Sequence, residues 1–68
     1  MNFVLLEARR RKGMTQKGLA VSVGMDFRHI SLAERGRYVP TTIERGLIAD
    51  ILEIDYDELW DSKQYFGD

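Results

Sequence analysis

One stretch of thirteen residues constrains this chain more than any other, and it runs Gly24-Met-Asp-Phe-Arg-His-Ile-Ser-Leu-Ala-Glu-Arg-Gly36. Gly24 suits a tight turn because it tolerates positive φ. Asp26 follows as an N-cap, its carboxylate placed to accept amide hydrogens left unpaired at a helix start. The spacing predicts a helix from Phe27 to about Arg35, with Gly36 as its stop. On such a helix Ile30, Ala33 and Glu34 share one face, and Phe27, Arg28, Ser31 and Leu32 fall largely on the other. So short a helix is unstable alone. The rest of the chain must therefore grip the first face, and the second is left presented, with a guanidinium, a hydroxyl and two large apolar groups.

The flanking sequence supplies the grip. Residues 2–12 read as a helix, with Val4, Leu5 and Ala8 inward, Phe3 or Leu6 at the margin and Arg9 next along the same face. The basic run from Arg9 to Lys12 suits the negative end of that helix, and it suits a phosphate backbone equally well. Thr15 caps a second helix, 16–23, with Leu19, Ala20 and Val23 inward. Gln16 and Lys17 stand at its positive end, where free amides form an anion site, although glutamine there is also simply a good helix former.

The segment Arg35-Gly36-Arg37-Tyr38-Val39-Pro40 is a loop, because Gly36 allows the turn and Pro40 bars helix before it. Thr41 or Thr42 caps a fourth helix to about residue 53, with Ile43, Leu47, Ile48, Ile51 and Leu52 apolar. Gly46 inside it should cost about 1 kcal/mol relative to alanine. Close helix packing and an altered contact surface both explain a glycine there. Asp55-Tyr56-Asp57-Glu58 resembles a capping box, with Glu58 reaching back, and it opens a fifth helix over 56–61. Trp60 either closes the core or lies in an interface. The tail 62–68 is polar except for Tyr65 and Phe66.

At 68 residues the chain is expected to be one domain, 1–68, with a small core. It has no cysteine and one histidine, which leaves no thiolate metal site and no means for the histidine to build a zinc site by itself. The apolar start turns charged too soon for a signal peptide, and no stretch reaches the length of a membrane span. A cytoplasmic protein is the expectation. No glycine-rich phosphate loop and no nucleophile–histidine–carboxylate set is legible, so neither enzyme activity nor a cofactor is expected. Net charge is −1, but it is unevenly placed. Residues 1–45 hold nine Lys/Arg against four Asp/Glu, and residues 46–68 hold one against seven. A polyanion responds to the local face rather than to the sum, although lopsided charge is also common in small soluble domains.

Two short helices joined by a glycine-containing turn, the second presenting polar groups, form the helix-turn-helix arrangement. Residues 5–60 resemble the helix-turn-helix domain of phage repressors, Cro proteins, restriction–modification controllers and related bacterial regulators. The likeness rests on Arg9, Lys12-Gly13-Met14-Thr15-Gln16, Leu19-Ala20, Gly24, Ile30-Ser31 and Glu34-Arg35-Gly36. It continues through Pro40, Ala49, Leu52 and Asp57-Glu58-Leu59. The resemblance implies an all-α, five-helix lambda-repressor-like domain that binds operator DNA, usually as a homodimer. By position it implies base contacts from Phe27, Arg28, Ser31 and Leu32 and a phosphate contact from Gln16. His29 lies near bases or phosphates, or is only a tolerant surface residue. Arg9 and Glu34 match a buried ion pair between the first and third helices. The fifth helix and its surroundings commonly make the dimer contact, which makes Trp60, Tyr65 and Phe66 its candidates. Lys17, Arg35, Arg37 and Tyr38 are further phosphate candidates, on their charge or hydroxyl and their place beside the motif.

The chain departs from the family pattern where specificity is written. Relatives usually carry small polar residues or glutamine at the positions of Phe27, Arg28 and Leu32. Here Arg28 alone offers a bidentate donor pair, suited to O6 and N7 of guanine. Phe27 and Leu32 can pack on a thymine methyl, Phe27 can pack on its own first turn, or the two can dock on a protein partner. The functional expectation is a double-stranded-DNA-binding regulator, a repressor before an activator, on a two-fold symmetric operator. An acidic face leaves room for a polymerase contact, and no small-molecule ligand is expected. The alternative is a protein-interaction module of the same fold, of antitoxin or anti-repressor type.

Overall fold

Each helix begins on a side chain that accepts an amide hydrogen, and this sets the element boundaries. The computed structural model describes residues 1–61, which form α1 (Phe3–Arg11), α2 (Gln16–Val23), α3 (Phe27–Glu34), α4 (Thr42–Leu52) and α5 (Tyr56–Leu59). The fold is all-α, with no strand among the described residues. The caps are Asn2, Thr15, Asp26, Thr41 and Asp55. The helices therefore start and stop within two residues of the expected limits, and Asn2 lies before α1 rather than in it.

The full capping box lies at α4, where the Thr41 hydroxyl accepts from the Glu44 amide and the Glu44 carboxylate accepts from the Thr41 amide. The sequence Thr-x-x-Glu at 41–44 carries this signal. At α5 only half of the expected box forms: Asp55 accepts from the Glu58 amide at 3.2 Å, with no return bond from Glu58.

The core is built from the inward faces of all five helices. Leu5, Leu19, Ile30, Ile48 and Leu59 are completely buried, each worth about 1.5–3 kcal/mol relative to exposure. The inward residues expected of α2 and α3 are the buried ones: Leu19, Ala20 and Val23 on one, Ile30, Ala33 and Glu34 on the other. On α1, Leu5 and Ala8 are buried, Val4 is half-buried and Phe3 is exposed. On α4 the apolar set divides. Ile48 and Leu52 enter the core, whereas Ile43 and Leu47 face solvent, because α4 packs with only one face inward.

Trp60 belongs to the core. The residue is 7% exposed and its indole N–H donates to the Arg45 carbonyl at 2.9 Å, so little of it is left for an interface. Tyr65 and Phe66, the other two candidates for a dimer contact, lie outside the described residues.

Asn2 ties three elements together, which local spacing does not reveal. It is completely buried, its side-chain oxygen accepts from the Leu5 amide, and its Nδ2 donates to the Leu59 carbonyl at 3.0 Å. Its backbone N–H donates to the carbonyl of Glu34 at 2.7 Å. One residue thus fixes the start of α1 against the ends of α3 and α5, and it satisfies buried groups that would be costly unpaired.

Gly46 is not explained by close packing. A Cβ built there meets no atom within 4 Å. Gly46→Ala should therefore raise stability by about 0.5–1 kcal/mol, since the helix interior gains propensity without a clash. Thermal unfolding checks the sign, and a lowered midpoint would show that the position is constrained after all.

Candidate nucleic-acid interface

Two turns aim α3. Gly24 closes α2 in the left-handed region (φ 72), and the Met25 amide reaches the Ala20 carbonyl at 2.8 Å, the six-to-one bond of a Schellman turn. At the other end the Arg37 amide bonds the Leu32 carbonyl at 2.9 Å, with Gly36 at φ 74. Between these turns α3 buries Ile30, Ala33 and Glu34 against the other helices and leaves its opposite face outside.

That outer face forms a shallow concavity of about 300 Å³ lined by Phe27, Arg28, Ser31, Leu32 and Arg35. The structure thus brings together the four base-contact candidates and one of the phosphate candidates. Phe27 is 47% exposed and so is not consumed by packing on its own turn. Ser31 and Leu32 are half-buried. Arg35 and Arg37 are exposed at the end of α3, and Lys17 is exposed at the start of α2. His29 stacks on Tyr38, ring centroids 4.7 Å apart and planes 20° off parallel, so the loop after α3 is braced against the helix.

Behind this face lies an ion pair. Arg9 Nε donates to Glu34 Oε2 at 2.6 Å and Nη2 to Oε1 at 3.2 Å, both side chains nearly inaccessible. Arg9 Nη1 also donates to the Met14 carbonyl at 2.8 Å, fastening the turn after α1. Gln16 Nε2 donates to Glu34 Oε1 at 3.0 Å. An amide nitrogen carries two hydrogens, so Gln16 retains one for an outside acceptor while Glu34 fixes its orientation.

The basic run of α1 does not act as a unit. Arg9 turns inward, and Lys12 pairs with Glu53 at the end of α4. Arg11 and Lys12 line a separate concavity with Glu53, Asp55 and Glu58, which shares no residue with the one on α3. Lys12 holds the Glu53 carboxyl below its ordinary range, chiefly through their hydrogen bond. Successive residues of a helix point in different directions, so Arg9 enters the buried ion pair while Arg11 and Lys12 lie on the acidic side of the molecule.

Spacing alone did not reveal one pairing at the face itself. Asp26 caps α3 through the Arg28 amide at 2.9 Å and also receives the Arg28 guanidinium, Nη2 to Oδ2 at 2.7 Å and Nε to Oδ1 at 3.1 Å. These bonds hold the Asp26 carboxyl far below the ordinary carboxylate range and raise the already high pKa of Arg28. Residues two apart do not meet on a helix, but Asp26 is extended (ψ 133) and lies before the first turn.

Two packed helices, a tight glycine turn and an exposed second helix define a helix-turn-helix protein. The family profile for the helix-turn-helix matches residues 5–59, and the chain belongs to that family, the one typified by phage repressors and Cro proteins. It is a family of DNA-binding transcription regulators. Searches of curated proteins and of solved structures returned no match. Among the described residues no helix is long and apolar enough to cross a membrane.

Proposed function

We propose that the protein is a sequence-specific regulator of transcription that inserts α3 into the major groove of double-stranded DNA. The observation that carries this reading is the α3 concavity, where two arginines, one hydroxyl and two apolar groups stand side by side on a helix held from behind. Arg28 reads guanine, and Phe27 and Leu32 pack on thymine methyl groups, with Ser31 beside them. Gln16, Lys17, His29, Arg35, Arg37 and Tyr38 hold the phosphates on either side and fix the register.

Residues 1–68 act as one DNA-binding domain, and two copies bind a two-fold symmetric operator as a homodimer, in the cytoplasm with the DNA. The protein represses by occupying DNA that polymerase needs. Glu53, Asp55 and Glu58, which line a concavity with Arg11 and Lys12 rather than with α3, keep their charge away from the phosphates and leave a surface for polymerase.

Selection of bound duplexes from a random library tests the reading. An enriched inverted repeat is expected, with half-site centres about 10 bp apart, as for two recognition helices on one face of the duplex. A single unrepeated motif would remove the dimer and keep the DNA. No enrichment would instead favour a protein partner docked on Phe27 and Leu32, the exposed Phe27 ring beside the half-buried Leu32 being the one observation on that side.

A further inference from the structure

We propose that Asp26 is a positioning residue for guanine recognition, its carboxylate gripping one edge of the Arg28 guanidinium so that the other end meets the base. The inference rests on the DNA reading above and adds a residue whose sequence signature is only that of a helix cap.

The geometry carries it. A guanidinium has five N–H donors in a planar fork. Asp26 takes the Nε hydrogen, shared between Oδ1 at 3.1 Å and Oδ2 at 3.3 Å, and one Nη2 hydrogen at 2.7 Å. Three donors remain. Two of them, one on Nη1 and the outer one on Nη2, run parallel along the end of the fork, which is the arrangement that O6 and N7 of guanine accept. The Arg28 side chain is otherwise free, 76% exposed, and would sample many rotamers without the carboxylate. Asp26 is itself fixed, because the same Oδ1 accepts from the Arg28 amide that it caps. An aspartate carboxyl is already ionised at neutral pH, and the hydrogen bonds from Arg28 lower its pKa further.

A carboxylate beside the DNA-facing helix is otherwise a liability, since it repels phosphate. The two roles give opposite signs on substitution, and this makes the inference testable. Asp26→Asn and Asp26→Ser both keep a capping oxygen while removing the charge that holds the guanidinium. Circular dichroism and thermal unfolding of the full chain verify that both variants fold. Wild type, Arg28→Ala, Asp26→Asn and Asp26→Ser are then compared by selection and by competition among duplexes that differ at each base pair of the enriched site.

Both Asp26 variants should lose about 5–10-fold in preference for guanine at the one position that Arg28→Ala also relaxes, a fraction of what a bidentate pair discriminates. Their affinity for unrelated DNA should hold or rise, and Asp26→Asn placed on Arg28→Ala should leave base preference unchanged. Guanine preference retained in both variants would overturn the inference and leave the DNA reading intact. So would a loss of preference at a neighbouring base pair, which would make Asp26 a direct base contact. Failure of the wild-type protein to enrich any sequence would overturn the DNA reading itself and the inference with it.

Discussion

Replacing either Arg9 or Glu34 with alanine is expected to cost about 3–5 kcal/mol of stability, because each truncation leaves the other charge buried without its counterpart. Arg9 is 8% exposed and Glu34 2%, so water cannot take the place of the lost partner. A domain of this size has roughly 5 kcal/mol or little more to lose, so either variant should be largely unfolded at 37 °C. The loss should not be additive. Arg9→Met combined with Glu34→Leu removes both charges, and the double variant should recover more than half of what either alanine variant loses. Guanidinium denaturation monitored by circular dichroism reads all of these. Single losses under about 1 kcal/mol, the range of exposed pairs, would mean that the pair is solvated in solution. The pair also bears on the α3 region, since Glu34 ends α3 and accepts a hydrogen bond from Gln16.

Arg28→Ala carries the second large effect, and it falls on recognition rather than on stability. The side chain is exposed and makes no core contact, so the fold should be unchanged within about 0.5 kcal/mol. Binding to the enriched operator should weaken by about 1–3 kcal/mol per half-site, with preference lost at one base pair in each. Affinity for unrelated DNA and the slope of log K against log salt should hardly move. Arg37→Ala should behave in the opposite way, weakening all duplexes alike and reducing the salt slope by about one. A uniform loss on Arg28→Ala would assign Arg28 to phosphate rather than to guanine.

The first prediction concerns residues that hold α3 from behind, the second a residue on its outer face. Arg9 and Glu34 are charged residues that the structure buries against each other, away from the exposed face of α3. Arg28 is held at the surface by Asp26 alone among the described hydrogen bonds. His29 and Tyr38 occupy a middle position, since their stacking braces the loop that carries Arg37 while both remain near the α3 face. Counting positive charge along the chain would have ranked Arg10, Arg11 and Lys12 beside Arg28. Two of those three line the acidic concavity at the ends of α1, α4 and α5.

Much of this molecule is written locally. The helix limits, four of the five caps, the turn at Gly24 and the inward residues of α2 and α3 depend on residues three or four apart, and spacing that short is set by helical geometry itself. The family follows from the same local pattern, because its motifs are turns and caps at fixed intervals. Tertiary structure decided what remained. The bond from Asn2 to Leu59 spans 57 residues, the Lys12–Glu53 pair 41 and the Trp60 bond to Arg45 15. No periodicity predicts such contacts, because they form only once several helices have packed and brought remote groups within about 3 Å. Packing likewise turned Ile43 and Leu47 outward, opened the space around Gly46 and split the basic run. The sequence by itself determined which segments are helices and which face of each is apolar. Only the tertiary structure decided which apolar residues of α4 stayed outside and which polar groups paired across the fold, because both depend on surfaces that meet only when the helices pack.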